Sequence, residues 1–132
     1  METARPLVSL ITVSYNSEKT IADTIESILE QTYDNIEYII VDGLSSDNTV
    51  SIAKNYETEF KDKGYSFIII SEKDSGLYDA MNKGIRLSTG DIVGILNSDD
   101  FYVNEYIIEK VVKMMMEENS DKGSFTLPDG PP

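Results

Sequence analysis

The sequence predicts an α/β protein: a Rossmann-like three-layer α/β/α sandwich with a mainly parallel sheet. Three observations predict it. Four short apolar runs read as buried strands: "LVSLITVS" at 7–14, "IEYIIV" at 36–41, "SFIIIS" at 66–71 and "DIVGIL" at 91–96. Segments with helical periodicity separate them. The strict β-then-α order needs crossover connections, which join parallel strands covered on both faces.

The elements follow in order. After the first run and the turn "YNSEK", Ile21, Ile25, Ile28 and Leu29 recur at helical spacing between Asp23, Glu26 and Glu30, predicting a helix over 18–32. The second run leads through "DGLSSD" to a helix over 48–63, with Asp47 as its N-cap. "EKDSG" follows the third run and opens a helix over 77–88. "NSDD" follows the fourth, before a helix over 104–118 that turns Ile107, Ile108, Val111, Val112 and Met115 inward. The tail "SDKGSFTLPDGPP" has no periodicity and carries three of the four prolines, so it reads as loop or disorder. The expected organisation is one domain over 1–119 and a tail over 120–132.

Composition narrows the chemistry. The chain has 132 residues, enough for one core. It contains no cysteine and no histidine, which removes disulfides, thiolate metal sites, the commonest general base and the commonest zinc ligand. A net charge of −13 argues against a nucleic-acid partner, whose backbone is held by Lys and Arg. The apolar runs are too short to cross a bilayer, and the N-terminus shows no basic-then-apolar signal pattern.

In open α/β sheets, ligands bind beyond the carboxyl ends of the strands. Asp42, Ser45, Ser46, Asp47, Asp74, Asp99 and Asp100 all follow strands and gather at that edge. Each also has a structural use: Asp42 and Gly43 form a turn pair, Asp47 caps a helix, Asn16 and Ser17 cap another, and "DSG" is a turn. Tyr78 and Met81 read as core, and Lys83 and Arg86 as solvated charges that could lean toward a phosphate. The pair Asp99–Asp100 stands out because it follows a buried strand on the same edge as Asp42. Hard cations such as Mg²⁺ or Mn²⁺ take carboxylate oxygens together with substrate phosphates, so a metal there would let an acidic edge bind an anionic nucleotide.

Four segments, "PLVSLITVSYN", "YIIVDGLSSDNT", "SEKDSGLYDAMNKGI" and "STGDIVGILNSDD", resemble in order the family 2 glycosyltransferases with a GT-A fold. The resemblance covers about residues 6–103 and implies the nucleotide-binding half of that fold. It implies inverting transfer of a sugar from a UDP- or dTDP-sugar to a carbohydrate or lipid-linked acceptor, assisted by Mn²⁺ or Mg²⁺. By the same resemblance, Tyr15 and Asn16 lie against the base, Asp42 hydrogen-bonds the uracil ring, and Gly43 and Ser46 complete that motif. Asp74, Gly76 and Asn82 belong to a segment that closes over the nucleotide. "NSDD" stands for the metal-binding D-x-D motif with Asn97 in place of its first aspartate, so Asp99 and Asp100 share the ribose and metal contacts.

The catalytic base of that family comes from an acceptor-binding half, so it is expected beyond residue 132. Glu117, Glu118, Asp121 and Asp129 follow the metal motif outside any acceptor pattern. The chain therefore reads as a partial enzyme supplying the donor site. Its setting is expected to be polysaccharide assembly, in the cytoplasm or peripherally at the inner face of the cell membrane, with apolar surface favouring homo-oligomers. One alternative is a non-catalytic nucleotide-sugar binding module. A phosphoacceptor receiver domain would place its acidic pair after the first strand, and a dinucleotide dehydrogenase would carry G-x-G-x-x-G there. This chain has "SYNSEK".

Overall fold

The computed structural model describes residues 5–117 and the backbone of 123–126. Strands β1 (Val8–Ser14), β2 (Ile36–Asp42), β3 (Ser66–Ser71), β4 (Ile92–Ile95) and β5 (Gly123–Thr126) form one sheet in the order β3-β2-β1-β4-β5. Every neighbouring pair is parallel. The strand order reverses beside β1. The crevice beyond the carboxyl ends of β1 and β4 is therefore the topological switch point, where such sheets bind ligands.

Side chains alternate across the sheet with period two, and the alternation sorts the core into two layers. Val8 and Leu10 of β1, Ile36, Tyr38 and Ile40 of β2, and Ile92 of β4 face one side. There they meet helices α1 (Ile21–Leu29), α2 (Thr49–Lys54), α3 (Glu57–Asp62) and α5 (Ile107–Glu117) through Ile25, Ala53, Phe60 and Ile108. Phe60, Phe67 and Tyr38 stack within this layer, with Phe60 and Phe67 centroids 4.4 Å apart. Ile11, Val13, Ile39 and Val41 face the other side, under α4 (Leu77–Leu87). Since β1 and β2 are covered on both faces, they are buried along their whole length. β3, at the edge, is only half-buried.

α4 lies close on the sheet because Gly84 has no side chain. A Cβ there would stand 2.5 Å from Cγ2 of Ile11, which is completely buried. Tyr78, expected in the core, is instead 79% exposed. It sits about 160° around the helix from Ala80, whose side meets the sheet. Met81 does pack against that layer.

Several boundaries differ from those the sequence suggests. The expected helix over 48–63 is two helices, interrupted at Asn55–Tyr56, which lets Phe60 turn into the aromatic cluster. α1 is shorter than 18–32 because its flanks are used elsewhere. The Thr20 hydroxyl donates to the Ser98 carbonyl, and Gln31 bonds the carbonyl of Asn104 and the N–H of Ile108. α5 begins at Ile107, after Asn104 accepts from the Tyr106 N–H. The tail, expected to be irregular, contributes β5. Backbone pairing along the free edge of β4 needs no apolar periodicity, so composition could not reveal it. Glu118 and the tail positions Asp121 and Asp129 lie outside the described residues.

Glu37 is a charged residue inside the sheet at its opposite edge. It accepts from the hydroxyls of Ser9 (2.7 Å) and Thr89 (2.8 Å) and from the Thr89 N–H (2.8 Å). Burial works against its ionisation, but the donors from Ser9 and Thr89 outweigh it and hold the carboxyl below the ordinary value. The carboxylate thus ties the connection after α4 to β1 and β2.

Two outcomes follow. Gly84→Ala gains roughly 1 kcal/mol of helix propensity but overpacks the layer by roughly 1–3 kcal/mol, so its urea midpoint should fall. Because the Glu37 pKa is depressed, its stabilisation is present above the unfolded value of about 4.3 and is lost as pH falls through the folded one. Glu37→Gln should therefore be less stable at neutral pH and show a flatter stability profile below about pH 5, as followed by denaturant unfolding.

Candidate functional site

A cleft of about 1160 Å³ opens at the switch point. It is lined by the loops after β1 (Tyr15 to Thr20), β2 (Gly43, Leu44, Asp47), β3 (Lys73, Asp74, Gly76) and β4 (Asn97, Ser98, Asp99), with Leu77 and Ala80 of α4. Those four loops are where the sequence placed its polar residues.

The loops after β1 and β2 are locked together by reciprocal hydrogen bonds. Asn16 donates its N–H to the Ser45 hydroxyl (2.8 Å), and its side-chain oxygen accepts the Ser46 N–H (2.9 Å). Ser17 donates its N–H to the Thr49 hydroxyl, and Glu18 donates to Asp47. In return Asn48 donates to the Glu18 carboxylate. Asp47 does serve the start of α2, although Asn48 is the N-cap residue, by accepting the Thr49 N–H and hydroxyl. Burial opposes ionisation of Asp47, yet the donors from Thr49 and Glu18 prevail and lower its pKa. The backbone between these contacts is strained: Asn16 and Leu44 adopt φ of 49° and 62°. Asparagine tolerates that conformation; leucine seldom does, so its neighbours must hold it there.

Asp42 underlies this platform and does not line the cleft. Its side chain is completely buried. One carboxylate oxygen accepts from the Ser14 hydroxyl (2.8 Å) and the Ser45 hydroxyl (2.6 Å); the other accepts from the Ser45 N–H (2.8 Å) and the Ser71 hydroxyl (2.8 Å). Two bonds at each oxygen fill the carboxylate's acceptor capacity. The residue expected to meet a uracil ring is here partnered by the chain's own serines. Its alternation with Tyr38 and Ile40 carries it into the layer beneath the loops, in register with Ser14 and Ser71.

Gly43, the next residue, faces the cleft, and Asp74 takes the space above it. A Cβ on Gly43 would stand 2.9 Å from Oδ2 of Asp74. Oδ1 of Asp74 accepts the Gly76 N–H (3.0 Å), which fixes the carboxylate's orientation. Tyr15, Leu44 and Leu77, 64%, 58% and 51% exposed, supply apolar walls.

On the other side, the Asp99–Asp100 loop is held by hydroxyls of α1 and the turn before it. Ser17 and Ser98 hydroxyls lie 2.6 Å apart, and Thr24 donates its hydroxyl between the Ser98 and Asp100 carbonyls. This turns Asp99 to the cleft; Asp100 is not among the lining residues. Among the described residues, no group of three or more potential ligands is placed to hold a metal ion.

The expected site residues divide accordingly. Tyr15, Asn16, Gly43, Asp74, Gly76 and Asp99 line the cleft, whereas Asp42, Ser46, Asn82 and Asp100 do not. Ser46 is spent on Asn16, and Asn82 is exposed on α4. Lys83 is committed to Glu72 (3.2 Å), Asp79 and the Lys73 carbonyl. Lys19 and Lys73 line the cleft unanticipated, although a signal existed: they are the cations of the four strand-end loops. Leu44 and Leu77 escaped notice because a lone apolar residue in a loop carries no periodicity.

Asp42→Asn places an N–H₂ against donors it cannot accept from. It should destabilise the chain by roughly 1–3 kcal/mol, read as a lower thermal midpoint, because buried groups lose their partners.

Comparison with known proteins gives these arrangements a context. The family model for Glycosyl transferase family 2 matches residues 9–125. The putative teichuronic acid biosynthesis glycosyltransferase TuaG of Bacillus subtilis (strain 168) is 38% identical over 115 residues, covering 87% of this chain and 44% of TuaG. Escherichia coli WfgD, a UDP-Glc:alpha-D-GlcNAc-diphosphoundecaprenol beta-1,3-glucosyltransferase, is 35% identical over 113 residues, covering 86% of this chain and 42% of WfgD. The chain thus spans less than half the length of these curated relatives. Among solved structures, the mannosyltransferase PcManGT from Pyrobaculum calidifontis, in complex with GDP-Man and Mn²⁺, superposes with a TM-score of 0.78 at 29% identity, over 86% of this chain and 33% of that one. S. aureus TarS 1–349 in complex with UDP gives 0.75 at 26% identity, again over 86% and 33%. With the family model running from β1 into β5 and relatives aligned across the same strands, the chain belongs to glycosyl transferase family 2.

Proposed function

We propose that this chain forms the donor site of a glycosyltransferase that uses a nucleoside-diphosphate sugar and inverts the anomeric centre, with a divalent cation at Asp99 and Asp100. The observation that carries the reading is the cleft at the switch point, with apolar walls and a carboxylate at one end and the outward Asp99 at the other. GDP-Man with Mn²⁺ in PcManGT and UDP in TarS support it by analogy.

The donor set fits Mn²⁺ or Mg²⁺ held mostly by its ligand. Two adjacent carboxylates, with no third acid grouped with them among the described residues, leave most positions to diphosphate oxygens and water. When bound, the cation stabilises the charge that grows on the departing diphosphate. Lys19 and Lys73 add positive charge from two other loops. Tyr15, Leu44 and Leu77 exclude water from the nucleoside. The hydroxyls of Ser17, Thr20 and Thr24 hold the Asp99 loop in place before any ligand arrives.

The acceptor, a carbohydrate or lipid-linked glycan, and the carboxylate that takes its proton belong in this reading to an acceptor-binding part of the kind the longer relatives have room for. Polysaccharide assembly on the cytoplasmic side of the membrane suits that acceptor. Among the described residues, no helix is long and apolar enough to cross a membrane.

Calorimetric titration with UDP, with and without Mn²⁺, tests the reading. UDP affinity should rise roughly tenfold or more with Mn²⁺, and Asp99→Ala should abolish that gain while the fold persists. Equal affinity with and without the ion would remove the metal from the site. Failure of UDP, dTDP and GDP alike to bind would overturn the nucleotide reading.

A further inference from the structure

We infer that Thr24 and Ser27 of α1 are positioning residues for the donor site: they set the register of the segment after β4 that turns Asp99 into the cleft. The inference rests on the donor-site reading above. Past Ser98, whose N–H still reaches the Val13 carbonyl, the segment runs along α1 instead of β1. Thr20, Thr24, Ser27 and Gln31 are spaced by four, three and four residues, so they form one stripe along that helix and its flanks. Each holds the backbone of the segment. The Thr20 hydroxyl donates to the Ser98 carbonyl (2.8 Å), and the Thr24 hydroxyl to the carbonyls of Ser98 and Asp100. The Ser27 hydroxyl accepts the Tyr102 N–H (3.1 Å), and Gln31 donates to the Asn104 carbonyl (2.8 Å). The rungs therefore fall on every second residue of the segment. One helical turn rises about 5.4 Å and two extended residues span about 6.6 Å, so the two repeats keep nearly in step. A turn closed by the Asp100 N–H on the Asn97 carbonyl takes up part of the difference.

Register decides which side chains face out. Ser98 and Tyr102 are buried, and Asp99, Phe101 and Val103 between the rungs are exposed. As in a strand, a slip of one residue would exchange the two sets and take Asp99 out of the cleft. Thr24, Ser27 and Gln31 are themselves buried, beside Ile25 and Ile28. Threonine and serine give up helix propensity and apolar contact there, and buried polar groups are tolerated because the segment's backbone partners them. Every rung holds backbone, so the scaffold spends none of the Asp99 carboxylate.

UDP is titrated into the chain and its variants with and without Mn²⁺, and each variant is also followed by urea unfolding. Thr24→Val replaces the hydroxyl with a methyl group of the same shape. It should lose most of the roughly tenfold gain from Mn²⁺, while its metal-free UDP affinity stays within about twofold of the unaltered chain's. Thr24→Ser keeps the hydroxyl and should keep the gain. Ser27→Ala drops the tie to Tyr102 but raises helix propensity, so it should cut the gain roughly threefold or more with little loss of stability. Glu37→Gln, at the opposite edge of the sheet, lowers stability without touching the segment and should keep the gain. The full gain in Ser27→Ala, or in Thr24→Val where it folds, overturns the inference and leaves the donor-site reading standing. A loss of the gain shared by Thr24→Ser or by Glu37→Gln overturns it in the same way. Equal UDP affinity with and without Mn²⁺ in the unaltered chain overturns the metal reading and the inference with it.

Discussion

The carboxylate of Asp42 is the constraint on which the cleft depends. An ionisable group placed completely out of water is tolerated only when its oxygens are fully partnered. Here the partners come from the two neighbouring strand ends and one loop: Ser14 of β1, Ser71 of β3, and Ser45 by its hydroxyl and its N–H. Satisfying one buried group therefore fixes the ends of three strands relative to each other. Ser45 passes the constraint on, because its hydroxyl also accepts the N–H of Asn16. Asn16 then holds Ser46. The loops after β1 and β2 are thus a single rigid body, which is why Leu44 persists at a φ of 62°.

The same device recurs at the other end of the sheet and on the other side of the cleft. Glu37 joins Ser9, Thr89 and the connection leaving α4, so each edge of β1 and β2 is closed by one carboxylate and small hydroxyl residues. Across the cleft, hydroxyls of Ser17, Thr20 and Thr24 hold the Asp99 loop by its backbone rather than by its acids. That division of labour matters. Asp99 is free to face the cleft because its loop's position is determined by Ser98 and by the carbonyl of Asp100.

Much of this was legible in the sequence, and the exceptions share a cause. β1, β2, β3 and β4 are apolar runs whose ends the pattern located to within a residue or so, since burial on both faces leaves little else they could be. The loops that line the cleft follow directly from parallel topology. The direction of Asp42 was not legible, because an acid beside a glycine at a strand end looks alike whether it points into the cleft or under it. Period two decides between them: Asp42 continues the series of Tyr38 and Ile40, and parallel register sets it beside Ser14 and Ser71. β5 and the break between α2 and α3 were not legible. Both are set by tertiary partners, the free edge of β4 and the aromatic cluster around Phe60, which local pattern does not record.

For a chain of net charge −13, the anionic ligand of the proposed reading poses a local problem rather than a global one. Charges more than about 8 Å apart across water are largely screened at physiological salt, so the surface acids on α1, α3 and α5 contribute little. Within the cleft, Asp47 and Glu18 already accept from backbone N–H groups, which offset part of their charge. Lys19 and Lys73 stand on opposing loops. Asp99 is exposed and turned toward the space a diphosphate would enter in the proposed reading. By itself that carboxylate repels the ligand. With a divalent ion between them it attracts. In the proposed reading, the residue that makes the cleft hostile to a bare nucleotide is therefore the one that would make it selective for a metal-bound one, without any change in the fold.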